Sequence, residues 1–285
     1  MTFSEYKAIR AINASGLKLV ARSPLHYWHK YLNPDPPPEK PSAALNIGSA
    51  LHSLVLEDEI IWHQAPDVNK RTKAGREEFA KFEAGLPEGA IVLSKDEIAK
   101  VNNMASCINA DKLASGLLHA NNWGERSAEK TLLWEMMDLQ CKARLDLVYY
   151  DESINKIRIV DLKTCRDASE HGFEGAITEY RYHLQAAFYS RAAQIRIGND
   201  SSEVEFYFVC IESSAPYAVA VYDLEEMAVE QGWRECQELL TEYATCLHFD
   251  SWPSYNRAKT TVPPIGIRKW AQDKYYNPPF EPMII

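Results

Sequence analysis

Two apolar segments with charged residues set inside them constrain this chain more than any other feature. Residues 140–150 alternate, with Cys141, Ala143, Leu145, Leu147 and Tyr149 on one predicted face and Lys142, Arg144 and Asp146 on the other. A loop at 151–155 leads into Lys-Ile-Arg-Ile-Val-Asp-Leu-Lys at 156–163. The pair reads as a hairpin. With its loop centred near 153–154, Asp146 falls opposite Asp161, and facing residues of an antiparallel pair share one side, with Cβ atoms about 4.5–5.5 Å apart. Lys163, two residues on, joins that side. Burying such groups is costly unless they are paired or bind a metal, so a buried ion pair and a metal site are the two readings. Two carboxylates at this spacing suit Mg²⁺, which keeps several waters and accepts phosphate oxygens. A lysine beside it can orient and polarise an attacking water, while the metal balances charge on the attacking and leaving oxygens of a phosphodiester.

The rest of the chain frames this hairpin. Ser15 is expected to cap a turn at Gly16-Leu17, and Ser23-Pro24 fits a cap followed by a first-turn proline. The run Asn33-Pro-Asp-Pro-Pro-Pro-Glu-Lys-Pro41 is a surface connection. Helical spacing of Ala44, Ile47, Leu51, Leu54 and Val55 predicts a helix over 42–57, where Gly48 and Ser49 permit a close approach. Residues 58–87 are weakly patterned. Ile91-Val92-Leu93 is a short strand, and Ser94 with Glu97 is a capping box opening a helix. Lys130–Met136 is strand-like and turns at Met137-Asp138. Beyond the hairpin come a helix at about 177–197, strands at Glu203–Ile211 and Tyr217–Tyr222, and an acidic helix at about 224–247. Helices, three strands, helix, strands and helix make a mixed α/β domain. At roughly 150 residues per domain, the 285 residues are expected to form a single domain. Its parts are a helical stretch at 1–120, a core at 125–250 and an irregular tail at 251–285.

Composition narrows the setting. No apolar run reaches the ~18 residues of a membrane span, and the start lacks the pattern of a signal peptide. Six dispersed cysteines without a CxxC pair suggest reduced thiols in a cytoplasm, and argue against a zinc ribbon or an iron–sulfur cluster. The net charge of −9 is unevenly spread. Residues 199–250 hold twelve acids and one base, Arg234, which leaves the remainder slightly basic. Lys70, Arg71, Lys73 and Arg76 fall within seven residues without an acid among them, and Arg257, Lys259, Arg268, Lys269 and Lys274 enrich the tail. Basic patches beside an acidic lobe are compatible with a polyanion bound locally, although a solvated helix face gives the same run.

Asp146, fourteen intervening residues and Asp161-Leu-Lys163 resemble the PD-(D/E)xK nuclease motif. Cys141-Lys-Ala-Arg-Leu-Asp146 followed by Ile159-Val-Asp-Leu-Lys-Thr164 resembles the RecB-like branch of that superfamily. Gln185 and Tyr189 match its QxxxY helix, and Gly48-Ser-Ala-Leu-His52 resembles its GxxxH helix. Ile12-Asn-Ala-Ser-Gly-Leu17 and Ser23-Pro-Leu-His-Tyr27 resemble the RecE (exonuclease VIII) family of phage and prophage exonucleases. The likeness spans about residues 5–250. No proline precedes Asp146, and no Walker A sequence is present in these residues, so the domain is expected to act without a fused ATP-driven motor.

The resemblance implies a restriction-endonuclease-like αβββαβ core with an N-terminal helical elaboration. It implies a Mg²⁺-dependent exodeoxyribonuclease, with Mn²⁺ able to substitute and two ions per site, resecting double-stranded DNA from an end, 5′ to 3′, to leave a 3′ single strand. A RecT-like single-strand-annealing partner and a ring-shaped homo-oligomer, a tetramer, follow from the same likeness. In this reading Asp146 and Asp161 hold metal with the Leu162 carbonyl, His52 and Glu129 complete the site, and Lys163 activates water. Glu125 and Glu135 are rivals to Glu129. Gln185 and Tyr189 either contact substrate or pack on the sheet, and Arg144 either contacts a phosphate or neutralises Asp146. Two other readings share the core: a structure-specific endonuclease, and a non-catalytic DNA-binding or assembly protein.

Overall fold

The computed structural model describes residues 1, 3–36, 42–57, 60–87, 90–255 and 261–267. Its N-terminal part is built from explicitly capped helices. Following α1 (Phe3–Ala8), α2 (Ala14–Arg22) opens at Asn13, whose side chain accepts the Gly16 N–H at 2.7 Å. The cap is therefore Asn13 and not Ser15, because the extended backbone sits at Asn13 and Ser15 already lies in the first turn. Pro24 opens α3 (Pro24–Tyr31) as expected. Helix α4 (Ala43–His52), capped by Ser42, runs into a π-helical turn at Ser53–Glu57. A two-stranded unit follows, in which β1 (Trp62–Gln64) pairs in parallel with β2 (Ile91–Leu93) across α5 (Lys73–Ala84), and Leu93 is buried in the core with α4 and α6. Sequence periodicity missed α5 because Gly75 is its only buried residue, so no apolar stripe marks it. The Ser94–Glu97 capping box opens α6 (Lys95–Ala110) as expected, and Asp111 caps α7 (Lys112–Leu118).

The core begins with the meander β3 (Glu125–Met136), β4 (Leu139–Asp151) and β5 (Lys156–Cys165). Met137 and Asp138, both at positive φ, make the tight turn between β3 and β4. A crossover through α8 (Glu170–Glu179) and α9 (Tyr182–Arg196) brings β6 (Glu203–Glu212) parallel to β5, a connection that parallel pairing requires. The edge strand β7 (Val219–Asp223) and the long α10 (Glu226–Phe249) complete the core, with sheet order β3-β4-β5-β6-β7. The single helix expected over 177–197 is two helices, broken where Arg181 adopts φ 51°. Helix α10 crosses α9 closely at Gly232, where a Cβ would lie 2.3 Å from the His183 carbonyl oxygen.

Each face of the sheet carries its own apolar core. Leu17, Val20, Phe188, Leu184 and Leu240 pack on the α2, α9 and α10 side, and Leu51, Met104, Ile108 and Leu118 on the α4, α6 and α7 side. The hairpin register is as expected: Leu147 pairs with Val160 and Asp151 with Lys156, so Asp146 and Asp161 are the next pair in line. They do not pair, because the β4–β5 ladder ends one step earlier. The β3–β4 ladder likewise skips Glu129 and Asp146, between Ala128–Leu147 and Lys130–Leu145. Glu129 has φ 48°. A left-handed residue in a strand upsets the alternation of faces, and that corrects the expected β4 pattern. Cys141, Ala143 and Leu145 enter the α9-side core, whereas Leu147 and Tyr149 enter the opposite one. On β3 the same switch separates Ala128 from Leu132 and Trp134. The edge that β5 vacates beside β4 is taken by Ile12, whose N–H donates to Gln140 O at 2.9 Å and whose carbonyl accepts the Lys142 N–H at 2.8 Å. Lys142 is buried with its ammonium on the carbonyls of Tyr6 (2.9 Å) and Ile9 (2.7 Å), where the negative end of α1 favours a cation.

Candidate metal centre

The break across β3, β4 and β5 is where the predicted site residues collect. His52, the last residue of α4, points its Nδ1 to within 3.5 Å of Asp146 Oδ2 and 3.9 Å of Glu129 Oε1. One ligand atom from each of His52, Glu129 and Asp146 lies within 4.8 Å of the others, so of the three rival glutamates Glu129 is the one placed here. Asp146 Oδ2 also accepts the Leu162 N–H at 2.9 Å, across the gap where a ladder bond would otherwise stand. A strand residue presents its N–H and C=O on the same edge, so the Leu162 carbonyl is also directed to the β4 side.

Asp161 is fully buried but does not join that trio. One oxygen lies against the Lys163 ammonium and the other accepts Gln185 Nε2 at 2.9 Å. The opposed carboxylates expected from the register are therefore split: Asp146 faces His52, while Asp161 faces Lys163 and α9. Arg144 is committed to Glu129, its Nε 2.6 Å from Oε2, and a further N–H donates to Thr131 Oγ1 at 3.3 Å. It thus neutralises Glu129 and not Asp146. Tyr189 stands one turn beyond Gln185, as its spacing predicts, and is half-buried. Burial and then the nearby Tyr6, Asp161, Asp146 and Glu129 hold its hydroxyl well above the usual tyrosine range.

The electrostatics follow from crowding. Burial alone would lower His52, but Asp146 and Glu129 outweigh it and hold the imidazole up at about 9. Burial, aided by the charge of Asp161, pushes Asp146 up to about 7 against the pull of His52 and Lys163. Burial also opposes the Lys163 charge, yet Asp161 and Asp146 raise it above the ordinary lysine value. Lys163 is therefore a fixed cation. Glu129 is lowered, as His52 and Arg144 overcome the opposing effect of burial. Two carboxylates and an imidazole held together at a gap in the hydrogen-bond ladder fit a hard divalent cation, which takes oxygen ligands and tolerates one nitrogen. Such a cation would do for the two carboxylates what the His52 proton does without it.

Sequence reasoning missed Lys18. It lies on α2 with its ammonium 3.0 Å from Gln185 Oε1 and 5.1 Å from the Tyr182 ring centroid. Only its place beside the buried Leu17 could have flagged it. Tyr182 lies half-buried with Lys163 4.9 Å over its ring. Lys70, Arg71, Lys73 and Arg76 are exposed at the start of α5, with Lys73 3.8 Å from Glu77 and Lys70 over the Phe79 ring. The basic residues Arg257, Lys259, Arg268, Lys269 and Lys274 lie outside the described residues. None of the six cysteines forms a disulfide, and no helix among the described residues is long and apolar enough to cross a membrane.

A family model described as a PDDEXK-like domain of unknown function (DUF3799) matches residues 13–260. No curated protein sequence matches the chain. Among solved structures, a candidate exonuclease from Eubacterium rectale aligns with a TM-score of 0.61 at 13% identity, over 93% of this chain and 96% of that one. The αβββαβ architecture expected from the sequence is thus shared with it. A phage-related exonuclease from Haemophilus somnus 129PT aligns over 70% of this chain and 95% of its own, at 14% identity and a TM-score of 0.30, too low to carry weight.

Proposed function

Because the chain belongs to the PDDEXK-like family whose model spans residues 13–260, we propose that it is a metal-dependent deoxyribonuclease. The observation that supports this best is the gathering of His52, Glu129 and Asp146 at a break in three strands, with Asp161 and Lys163 on the next strand. A divalent ion held by His52, Glu129 and Asp146, with Asp161 and the Leu162 carbonyl beside it, would supply Lewis-acid polarisation and charge balance on the phosphodiester. Mg²⁺ is the ion of choice, Mn²⁺ should substitute, and the family resemblance implies a second ion.

The chain's own groups divide the remaining work. Lys163 is held charged, so it orients the attacking water and offsets negative charge in the transition state; it does not remove the proton itself. Asp161 keeps that ammonium in place, Gln185 donates to Asp161, and Tyr189 stands one turn further along α9. Arg144 prevents Glu129 from repelling the incoming phosphate.

The finer reading is an exonuclease that resects double-stranded DNA 5′ to 3′ from an end. Its 3′ single strand would pass to a RecT-like annealing partner, with several copies of the chain forming a ring in the cytoplasm. The resemblance of residues 12–17 and 23–27 to the RecE family supports that choice over an endonuclease. The test is digestion of linear against covalently closed circular duplex, with Mg²⁺ and with EDTA. Progressive loss of the linear form alone, abolished by EDTA, is expected. Rapid nicking of closed circles would replace the exonuclease with an endonuclease, and cleavage surviving in EDTA would end the metal mechanism.

A further inference from the structure

A glutamine side chain ends in two groups of similar shape and opposite polarity, one accepting and one donating. At Gln185 the choice of which end meets Asp161 has a visible cause. Lys18 donates in either charge state and the Asp161 carboxylate can only accept, so the amide end that faces Lys18 is the oxygen, with Lys18 Nζ 3.0 Å from Oε1. The NH₂ end is then left for Asp161, with Nε2 2.9 Å from Oδ1. The second Asp161 oxygen is occupied by Lys163. A continuous chain of contacts thus runs from α2 through α9 to the lysine of the proposed centre. Reversing the amide would set a carbonyl oxygen against the Asp161 carboxylate and an NH₂ against the ammonium, two repulsions at once.

Lys18 is itself held firmly. Helix α2 is anchored by Ile12 on β4, and by Leu17 and Val20, which are fully buried in the core shared with α9 and α10. Neither salt bridges nor hydrogen bonds to carboxylates are found for Lys18 among the described residues, and its partners there are an amide oxygen and an aromatic face. Burial, with Lys163 adding to it, lowers its ammonium to about 7. A neutral amine still donates to Oε1, so the orientation of Gln185 survives either charge state.

We infer that Lys18 is a positioning residue of the metal centre, acting through Gln185 to hold Asp161 and thereby Lys163. The inference rests on the nuclease reading of that centre. Its consequence is that the N-terminal helices complete the site and do more than shield it.

The experiment compares Lys18→Met, Lys18→Arg, Gln185→Leu and the double variant Lys18→Met/Gln185→Leu in the full chain. Each is measured for kcat and KM on linear duplex with Mg²⁺, for Mn²⁺ affinity by titration calorimetry, and for melting temperature. Lys18→Met should lower kcat by ~10–100-fold with KM within ~2-fold, since orientation is lost and binding is kept. Mn²⁺ affinity should fall by the same factor in Lys18→Met and Gln185→Leu. Lys18→Arg, also a pure donor, should stay within ~3-fold of the parent. The double variant should be no slower than Gln185→Leu alone, because the two residues act in series.

Losses that multiply in the double variant would overturn the inference, as would a rise in KM at constant kcat, which would make Lys18 a direct DNA contact. An unaffected Lys18→Met in an active parent would overturn it while leaving the nuclease reading intact. A parent chain that neither binds Mn²⁺ nor cleaves DNA would overturn the nuclease reading itself.

Discussion

If His52, Glu129 and Asp146 hold a cation as proposed, it should bind in exchange for a proton. Without metal, His52 is held protonated up to about 9 by the carboxylates around it, and Asp146 is pushed up to about 7. A ligand imidazole must be neutral and a ligand carboxylate ionised. At pH 7 the His52 proton therefore lies about two units below its release point, which costs roughly 2.7 kcal/mol at ~1.36 kcal/mol per unit. That is a ~100-fold weakening of metal affinity relative to a site already deprotonated. Affinity for Mn²⁺ should climb by at least tenfold between pH 7 and 8, with about one proton released per ion from His52 and up to about half a proton more from Asp146 at pH 7. Titration calorimetry in two buffers of different ionisation enthalpy counts that proton directly. His52→Gln should flatten the profile in this window. The same shift sets the stability of the metal-free protein: a histidine raised above its unfolded value of ~6.5 contributes fully below that pH and loses the contribution as pH rises through about 9. Melting temperature should thus decline over pH 6.5–9 without metal and decline less with saturating Mn²⁺. An affinity independent of pH from 7 to 8, with no proton released, would refute the reasoning.

Two further outcomes follow from named residues. Lys163→Ala should reduce the cleavage rate by about 10²–10⁴ while DNA affinity and melting temperature stay near those of the parent, because Gln185 still donates to Asp161; a loss of ~3–5 kcal/mol in stability with normal activity would instead make the pair structural. Replacing Lys70, Arg71, Lys73 and Arg76 together by glutamine should lower the steepness of salt dependence in DNA binding by up to ~3–4 units of log–log slope. An unchanged slope measured by fluorescence anisotropy would show that α5 stays clear of the duplex.

Much of the core was legible because the hairpin carries its own register. A loop centred at 153–154 implied the Asp146–Asp161 alignment, and the Leu147–Val160 pair confirms it. Capping chemistry was equally local, so Ser94 with Glu97 and Pro24 fell where expected. What local pattern could not show was the left-handed backbone at Glu129, since a glutamate at positive φ has no signature in composition. That one residue accompanies the change of face between Leu145 and Leu147, and the pairing gap beside it gathers the trio. Helix α5 escaped because it buries almost nothing, and Arg181 interrupted a helix whose apolar pattern continues past it. Lys18 was hidden by distance, standing 167 positions from the glutamine it orients.

The bridge from Ile12 to Cys141 has a temporal meaning for a chain made from its N-terminus. Ile12 and Leu17 leave the ribosome early, yet β4 and the α10 residues that receive them, down to Tyr243, are synthesised far later. At about 5–20 residues per second, Tyr27 waits on the order of 10–45 s for its hydrogen-bond partner Tyr243. Ile12 can meet β4, and Lys18 can meet Gln185, only once those segments have been made. Such long-range closure slows folding, since loop entropy is lost before distant contacts form. It also ties the assembly of the proposed centre to the synthesis of α10, so a fragment lacking α10 should be unable to dock its first helices stably.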